Sequence, residues 1–165
     1  DILVNNAGVN FEFSSTSMPS PTSDTSLDMF RKTFETNFFS QIALTQKLMP
    51  LVKKSEAGRI VNVSSALGSN GYHSDPTSDY YQFKIPAYDA SKTALNSYTV
   101  HLAYELKDTK IKVNAAHPGW VKTDLGTENA PMEVEDGAKT SVQLATLGAD
   151  GINGGFVHMG ESLPW

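Results

Sequence analysis

Short apolar runs alternate with longer amphipathic stretches along the chain. Four runs are short and rich in apolar or β-branched residues and predict strands at residues 1–5, 59–64, 111–116 and 155–159. Three stretches carry apolar residues at helical spacing and predict helices at residues 27–52, 87–106 and 133–147. Ser26 is suited to cap the first helix, and Pro86 is suited to the first turn of the second.

Alternating strands and helices predict an α/β fold with a doubly wound parallel sheet, because right-handed crossovers place helices on both faces. The strands show little two-residue alternation, as expected of strands covered on both sides. Ligands of such sheets bind beyond the carboxyl ends of the strands. The residues that directly follow each strand are therefore the candidate site.

Two long polar segments, residues 9–25 and 66–86, are predicted as loops because they are rich in Ser, Thr, Pro and Asp. The second also contains Tyr80, Tyr81 and Phe83. These aromatic side chains either wall a substrate pocket or cover an edge of the sheet.

The composition narrows the class of protein. The chain has 165 residues, of which 39% are hydrophobic and 19% charged, as in one soluble globular domain. A net charge of -5 lacks the basic footprint of nucleic-acid binding. Without cysteine there are no disulfides, thiolate zinc sites or cysteine nucleophiles. No apolar run approaches the roughly 18 residues that cross a bilayer, so we expect no membrane partner and a reducing, cytoplasmic setting.

Acid–base chemistry is indicated at one helix. Tyr88 and Lys92 are four residues apart, which places both side chains on one helical face. An ammonium near a phenol favours the phenolate. Lowering the pKa of Tyr88 to neutrality requires about 4 kcal/mol of differential stabilisation, part of which a cation can supply.

Small and polar residues follow three successive predicted strands and could line a crevice for a ligand. They are Asn5-Asn6-Ala7-Gly8, Ser64-Ser65 and His117-Pro118-Gly119. The four histidines of the chain show no metal-ligand spacing.

Taken in order, these motifs resemble the short-chain dehydrogenase/reductase family. The matching stretches are DILVNNAG (1–8), FETNFFS (34–40), GRIVNVSS (58–65), YDASK (88–92) and HPGWVKTDLG (117–126). The ending GGFVHMGESLPW (154–165) and the PGWVKTD stretch are most similar to the carbonyl-reductase-like branch. The resemblance implies an oxidoreductase that transfers a hydride between NAD(P)(H) and a small-molecule carbonyl or alcohol.

The resemblance also implies roles for four residues. Tyr88 is the general acid in reduction, and Lys92 lowers its pKa and hydrogen-bonds the nicotinamide ribose. Ser65 holds and polarises the carbonyl, with Ser64 as the alternative. Asn37 binds a water that relays protons to Lys92, or else is a polar group satisfied by the helix backbone.

The same resemblance implies a set of cofactor contacts. Besides Tyr88 and Lys92, these are Asn5, Ala7, Gly8, Pro118, Gly119, Val121 and Thr123. Asn5 could equally tie adjacent strands together. NADP is the expected cofactor and NAD is possible, because the selector between them lies outside the matching stretches.

The chain departs from the family pattern in lacking the glycine-rich phosphate loop, and it starts with a strand-like run. We therefore expect residues 1–165 to be part of an NAD(P)-binding catalytic domain, about its C-terminal two-thirds, without its first strands. An uncovered apolar edge at residues 1–5 would make this part poorly soluble, and we expect it to be inactive alone. A non-catalytic nucleotide-binding relative is the alternative function.

A second departure is the spacing of 23 positions between Ser65 and Tyr88, which is larger than in many family members. The surplus falls in residues 69–86, called the lip below. Long loops of this kind are usually functional or disordered. We expect the lip to cover the substrate site or to obstruct the helix packing of oligomeric relatives, so monomer and homo-oligomer both stay open.

Overall fold

The computed structural model of the chain describes residues 1–12 and 19–165. The strands are β1 (Ile2–Asn5), β2 (Arg59–Val63), β3 (Lys112–Ala116), β4 (Phe156–His158) and β5 (Glu161–Ser162). The helices are α1 (Leu27–Phe34), α2 (Ser40–Val52), α3 (Asn70–Ser74), α4 (Pro86–Glu105) and α5 (Val134–Ala145). A π-helical segment, Glu35–Phe39, joins α1 to α2 without a break.

The strands form one sheet in the order β1-β2-β3-β4-β5, and the first four are parallel. This confirms the predicted α/β fold with a parallel sheet. β5 was not predicted, because its two exposed residues are polar. It returns antiparallel to β4 through a tight turn with positive φ at Met159 (48°) and Gly160 (90°).

Helices cover both faces of the sheet. On one face, Leu102 of α4 and Leu106, which directly follows α4, pack with Ile60 and Val113. On the other face, Leu144 of α5 packs with Val61, Ala116 and Val157. Neighbouring strand residues such as Ile60 and Val61 therefore point to opposite cores, as alternation along a strand requires.

The predicted helix over 27–52 is present, but its buried face is not the apolar one. Ser26 caps it as predicted, with its Oγ accepting the N–H of Met29 (3.1 Å). The fully buried side chains are polar and spaced four apart: Thr33, Asn37, Gln41 and Thr45. The phenylalanines beside them form a ring cluster nearer the surface.

The lip is partly helical, so the prediction of a loop over 66–86 was wrong in part. Residues 66–68 form a 3-10 turn and α3 follows, with Ser69 Oγ accepting the N–H of Tyr72 (3.1 Å). α4 begins at Pro86 as predicted. Of the predicted loop 9–25, residues 13–18 lie outside the described residues.

In the part of the chain that the structure describes, no helix has both the length and the apolar character needed to cross a membrane.

Candidate functional site

Three strand ends meet beside the first turns of α4. The Nζ of Lys92 donates to the carbonyl of Val63, the last residue of β2 (2.8 Å). A Cβ on Gly8, which follows β1, would lie 3.3 Å from the same Nζ. Beyond β3, His117 Nδ1 accepts the N–H of Ala66 (3.1 Å), which joins the third strand end to the second.

Tyr88 and Ser65 form the centre of this arrangement. Tyr88 is the third residue of α4 and only 7% exposed. Its burial raises the pKa of the phenol to about 12, against a smaller lowering by a hydrogen bond with Ser65. Lys92 Nζ lies 5.8 Å from the centroid of the Tyr88 ring. The net shift of the Tyr88 pKa is therefore upward, opposite to the lowering expected from the sequence, and burial is its largest cause.

Lys92 is 3% exposed, and burial lowers the pKa of its ammonium to about 8. An ammonium has three N–H donors. Among the described residues, the Val63 carbonyl is the one acceptor within hydrogen-bond distance. The remaining donors can reach hydroxyls of a bound ligand on the side left open by Gly8.

The two serines after β2 face different ways. Ser64 Oγ donates to Asn96 Oδ1 (2.6 Å) inside the packing of α4 on the sheet. Ser65 Oγ accepts the N–H of Leu67 (3.2 Å) and shares a hydrogen bond with Tyr88. Of the two, Ser65 is therefore the hydroxyl beside the phenol.

Asn37 is fully buried in the π-helical segment and fastens the chain after β1 to α4. Its Oδ1 accepts the N–H of Val9 (2.8 Å), and its Nδ2 donates to the Val9 carbonyl (2.9 Å) and to Ser91 Oγ (3.0 Å). Ser91 Oγ in turn donates to the carbonyl of Tyr88 (2.7 Å). The side chain of Asn37 is thus satisfied by Val9 and Ser91 and not by the helix backbone, as the alternative had it, and the water relay stays a prediction.

Asn5 lies in the sheet and matches its structural alternative. Its Nδ2 donates to Asn62 Oδ1 in β2 (2.8 Å) and to Thr45 Oγ1 in α2 (2.9 Å). Asn62 continues the series by donating to Thr99 Oγ1 of α4 (2.8 Å). The next two predicted cofactor contacts, Ala7 and Gly8, are exposed at the strand end.

The loop after β3 holds Pro118, Gly119, Val121 and Thr123 at the same edge of the sheet. Gly119 has φ 92°, a backbone conformation that disfavours any residue with a side chain. Val121 forms a β-bridge with Met132. Thr123 Oγ1 is exposed and accepts the N–H of Gly126 (3.1 Å).

Four charged or titratable residues around the start of α4 were missed from the sequence. Glu12 accepts the N–H groups of Ala87 and Tyr88, and Asp89 contacts His73 Nε2 (3.3 Å). Lys84 Nζ lies 3.2 Å from His73 Nδ1.

One signal could have revealed part of this group. Ile85 precedes Pro86 and cannot cap a helix through its side chain, so a cap from elsewhere is required. Asp89 supplies part of this cap, because its Oδ2 accepts the N–H of Ile85 (2.9 Å). Burial raises the pKa of Asp89 to about 7.

Two surface concavities, of about 340 and 410 Å³, lie at the opposite end of the sheet beside Lys110 and Arg59. Neither contains a predicted site residue, so the candidate site is defined by its side chains. Within the described residues, no group of three or more His, Asp or Glu side chains is placed to hold a metal ion.

Comparison with known proteins shows a consistent set of similarities. A family model described as short chain dehydrogenase matches residues 1–134. The chain is 37% identical to the short-chain dehydrogenase anuI of Penicillium roqueforti, over 90% of this chain and 58% of that protein. It is 30% identical to carbonyl reductase [NADPH] 1 of Rattus norvegicus, over the whole of this chain and 70% of the relative.

Solved structures show the same similarity. The carbonyl reductase Sniffer of D. melanogaster superimposes with a TM-score of 0.82 and 30% identity, over 99% of this chain and 66% of that chain. An NADPH-bound carbonyl reductase from chicken fatty liver gives a TM-score of 0.80 and 26% identity, over 99% and 65% of the two chains.

Proposed function

Because the chain belongs to the short-chain dehydrogenase family, we propose that its site residues perform the carbonyl chemistry of an NADPH-dependent carbonyl reductase. The observation that carries this is the buried pair of hydroxyls, Tyr88 and Ser65, with the Lys92 ammonium beside the phenol. The chain spans 58% of the length of the Penicillium relative. Residues 1–165 are accordingly proposed as part of the NAD(P)-binding catalytic domain.

The residues at the strand ends fit a dinucleotide cofactor. Gly8 has no side chain and so leaves space next to Lys92 Nζ. A Cβ at this position would lie 3.3 Å from that nitrogen. Lys92 has N–H donors free for ribose hydroxyls, and the loop of Pro118, Gly119, Val121 and Thr123 borders the same edge. NADP is proposed because the rat relative is named for NADPH and the chicken structure is NADPH-bound. When bound, this cofactor supplies the hydride.

Tyr88 is proposed as the proton donor. Burial raises the pKa of Tyr88 to about 12, so the phenol is protonated at neutral pH and can donate to the substrate oxygen once that oxygen gains alkoxide character, because an alkoxide is a stronger base than a phenolate. Ser65, hydrogen-bonded to Tyr88, can hold the carbonyl oxygen of the substrate within reach of that proton. Lys92, whose ammonium has a pKa lowered to about 8, can return a proton to Tyr88 afterwards. A water held near Asn37 is the proposed link from Lys92 to solvent.

A small-molecule carbonyl or alcohol is the proposed substrate, and two lines support this class. Three of the relatives described above are named carbonyl reductases. The reacting groups, a phenol, a hydroxyl and an ammonium, are those that a carbonyl oxygen needs for proton transfer. The proposed setting is the reducing cytoplasm, in which a chain without cysteine needs no disulfide.

The test is oxidation of NADPH on a panel of carbonyl compounds. Two proteins are assayed: residues 1–165, and the same residues preceded by a glycine-rich strand–turn–helix unit of the family. We expect turnover only in the extended protein. In it, Tyr88→Phe should lower kcat by about 10²- to 10⁴-fold, because the variant loses the acid. Binding of NADPH, followed by fluorescence, should persist.

Tyr104→Phe is the matched control, because this tyrosine lies on the same helix and is 71% exposed. It should leave kcat unchanged. Equal rates for wild type and Tyr88→Phe would remove Tyr88 as the acid. Binding of NADPH without turnover on any compound would instead identify a non-catalytic relative.

A further inference from the structure

Within α4, which carries Tyr88, Asp89 binds the N–H of Ile85 but leaves the next N–H groups of the first turn without a partner from the helix itself. Its N-cap residue, Ile85, has an apolar side chain, and Pro86 has no N–H. The first free N–H groups of the helix belong to Ala87 and Tyr88. Both are bound by one side chain from 75 residues away: Glu12 Oε1 accepts from Ala87 (3.2 Å) and Glu12 Oε2 from Tyr88 (2.8 Å).

The segment that carries Glu12 is itself held in place. Asn10 Oδ1 accepts the N–H of Glu12 (3.0 Å), which forms a local turn. Val9 is fixed through both its backbone groups by Asn37. Residues 9–12 therefore contact α4 twice, through Asn37 and Ser91 at one end and through Glu12 at the other.

We infer that Glu12 is a positioning residue for Tyr88: its carboxylate fixes the backbone of the first turn of α4 and so aims the phenol toward Ser65. The inference rests on the function proposed above. Through Glu12, the segment after β1, which includes Gly8, also contacts the backbone of Tyr88, the proposed proton donor.

The carboxylate has an electrostatic effect as well as a geometric one. The charge of Glu12 acts on Asp89 of α4, which also interacts with His73 and Lys84 of the lip. Glu12 is one of the groups that raise the pKa of Asp89, the residue after Tyr88. Removing its charge should lower the pKa of Asp89 and move the pH dependence that Asp89 imposes on Tyr88 to lower pH.

The first measurement needs no enzyme activity. Amide hydrogen exchange is followed by NMR in the extended protein for wild type, Glu12→Ala and Glu12→Gln. In Glu12→Ala, the amides of Ala87 and Tyr88 should exchange at least tenfold faster, while those of Leu95 and Thr99 keep their wild-type rates. Unchanged exchange at Ala87 and Tyr88 would overturn the inference.

Glu135→Gln is the matched control, because Glu135 is an exposed acidic residue in the first turn of α5. It should alter neither amide. Loss of protection throughout α4 in Glu12→Ala would show a general structural role and overturn the inference. Glu12→Gln, which keeps one acceptor oxygen, should retain protection at one of the two amides.

The second measurement uses the extended, active protein. Glu12→Ala should lower kcat about tenfold with little change in KM for NADPH, and Glu12→Gln should fall between it and wild type. Both variants should shift the pH profile of oxidation downward. Wild-type kcat and pH profile in Glu12→Ala would overturn the positioning role. Activity retained in Tyr88→Phe would instead overturn the proposed function, and leave the exchange result to decide the contact.

Discussion

At the scale of single residues, burial controls the protonation of the candidate site. Each of three groups has a pKa shifted so that its neutral form is favoured. The pKa is raised to about 12 for Tyr88, lowered to about 8 for Lys92 and raised to about 7 for Asp89. Desolvation is the first cause in all three, and it acts against charge whatever its sign. The first turns of α4 thus bring three groups together in an environment that resists ionisation.

Asp89 should make the stability of the fold depend on pH. Its pKa is raised from 3.8 to about 7, so the folded state holds a proton that the unfolded state releases. The resulting stability is complete below about pH 4 and is lost as the pH rises through 7. Asp89→Asn cannot ionise. Its free energy of unfolding relative to that of wild type should therefore be about 2 to 3 kcal/mol larger at pH 8 than at pH 5.

Urea unfolding at the two pH values measures this difference. Asp28→Asn is a suitable control, because Asp28 is an exposed acidic residue in the first turn of α1. A gain that is the same at pH 5 and pH 8 would show that Asp89 is not the titrating group.

At the scale of elements, local sequence patterns predicted most helices and strands. They did not predict the features that depend on contacts between residues distant in the sequence. Apolar runs gave β1 to β4, and helical spacing gave the long helices, because these signals are carried by neighbouring residues. The π-helical segment, α3 and β5 have no such signal, since their form depends on contacts such as that of Asn37 with Val9. Likewise, Tyr88 and Lys92 could be found from spacing, whereas Glu12 could not.

The start of the lip contacts the helix that carries Tyr88, and its end contacts its start: His73 contacts Asp89, next to Tyr88, and Lys84 Nζ donates to the His73 carbonyl (3.1 Å). Tyr72, which precedes His73, packs against Tyr80 with the ring centroids 5.0 Å apart. Phe83 is 58% exposed and so does not cover the core. That these aromatic side chains border a substrate stays a prediction.

Replacing residues 76–82 with Gly-Ser-Gly should test the lip without breaking the contacts of His73 and Lys84. Because loop closure costs little at the surface, we expect stability to change by about 1 kcal/mol or less. In the extended protein, KM for bulky carbonyl substrates should fall relative to small ones. Sedimentation tests the second expected role, and dimers or tetramers would indicate obstruction of helix packing. No change in substrate range or sedimentation would dismiss both roles.

At the scale of the whole molecule, β1 is the edge of the sheet among the described residues. Its outward side chains, Ile2 and Val4, are 54% and 39% exposed, whereas Leu3 and Asn5 are buried. An apolar edge strand with unpaired backbone groups favours pairing with another chain. The poor solubility of residues 1–165 stays a prediction, and this edge is the surface expected to pair.

A charge on this strand should reduce association of residues 1–165. Val4→Lys places an ammonium on the exposed face of the edge, which disfavours strand pairing. Sedimentation and light scattering against concentration should show several-fold weaker association than wild type. Val100→Lys, at a valine 42% exposed on α4, is the control. An equal decrease in both variants would indicate that general charge, not β1, controls association.

The hydrogen-bonded amides of Asn5 and Asn62 have a consequence for how the sheet is aligned. Sliding β1 along β2 by two residues would return every side chain to its original face, so apolar patterning alone cannot distinguish the two alignments. The slide would separate Asn5 from Asn62, whose positions pair across the strands, and leave buried amide groups unmatched. We therefore expect the hydrogen bond between these two side chains to favour one register of β1 on β2 over otherwise equivalent ones. That register places Gly8 beside Lys92.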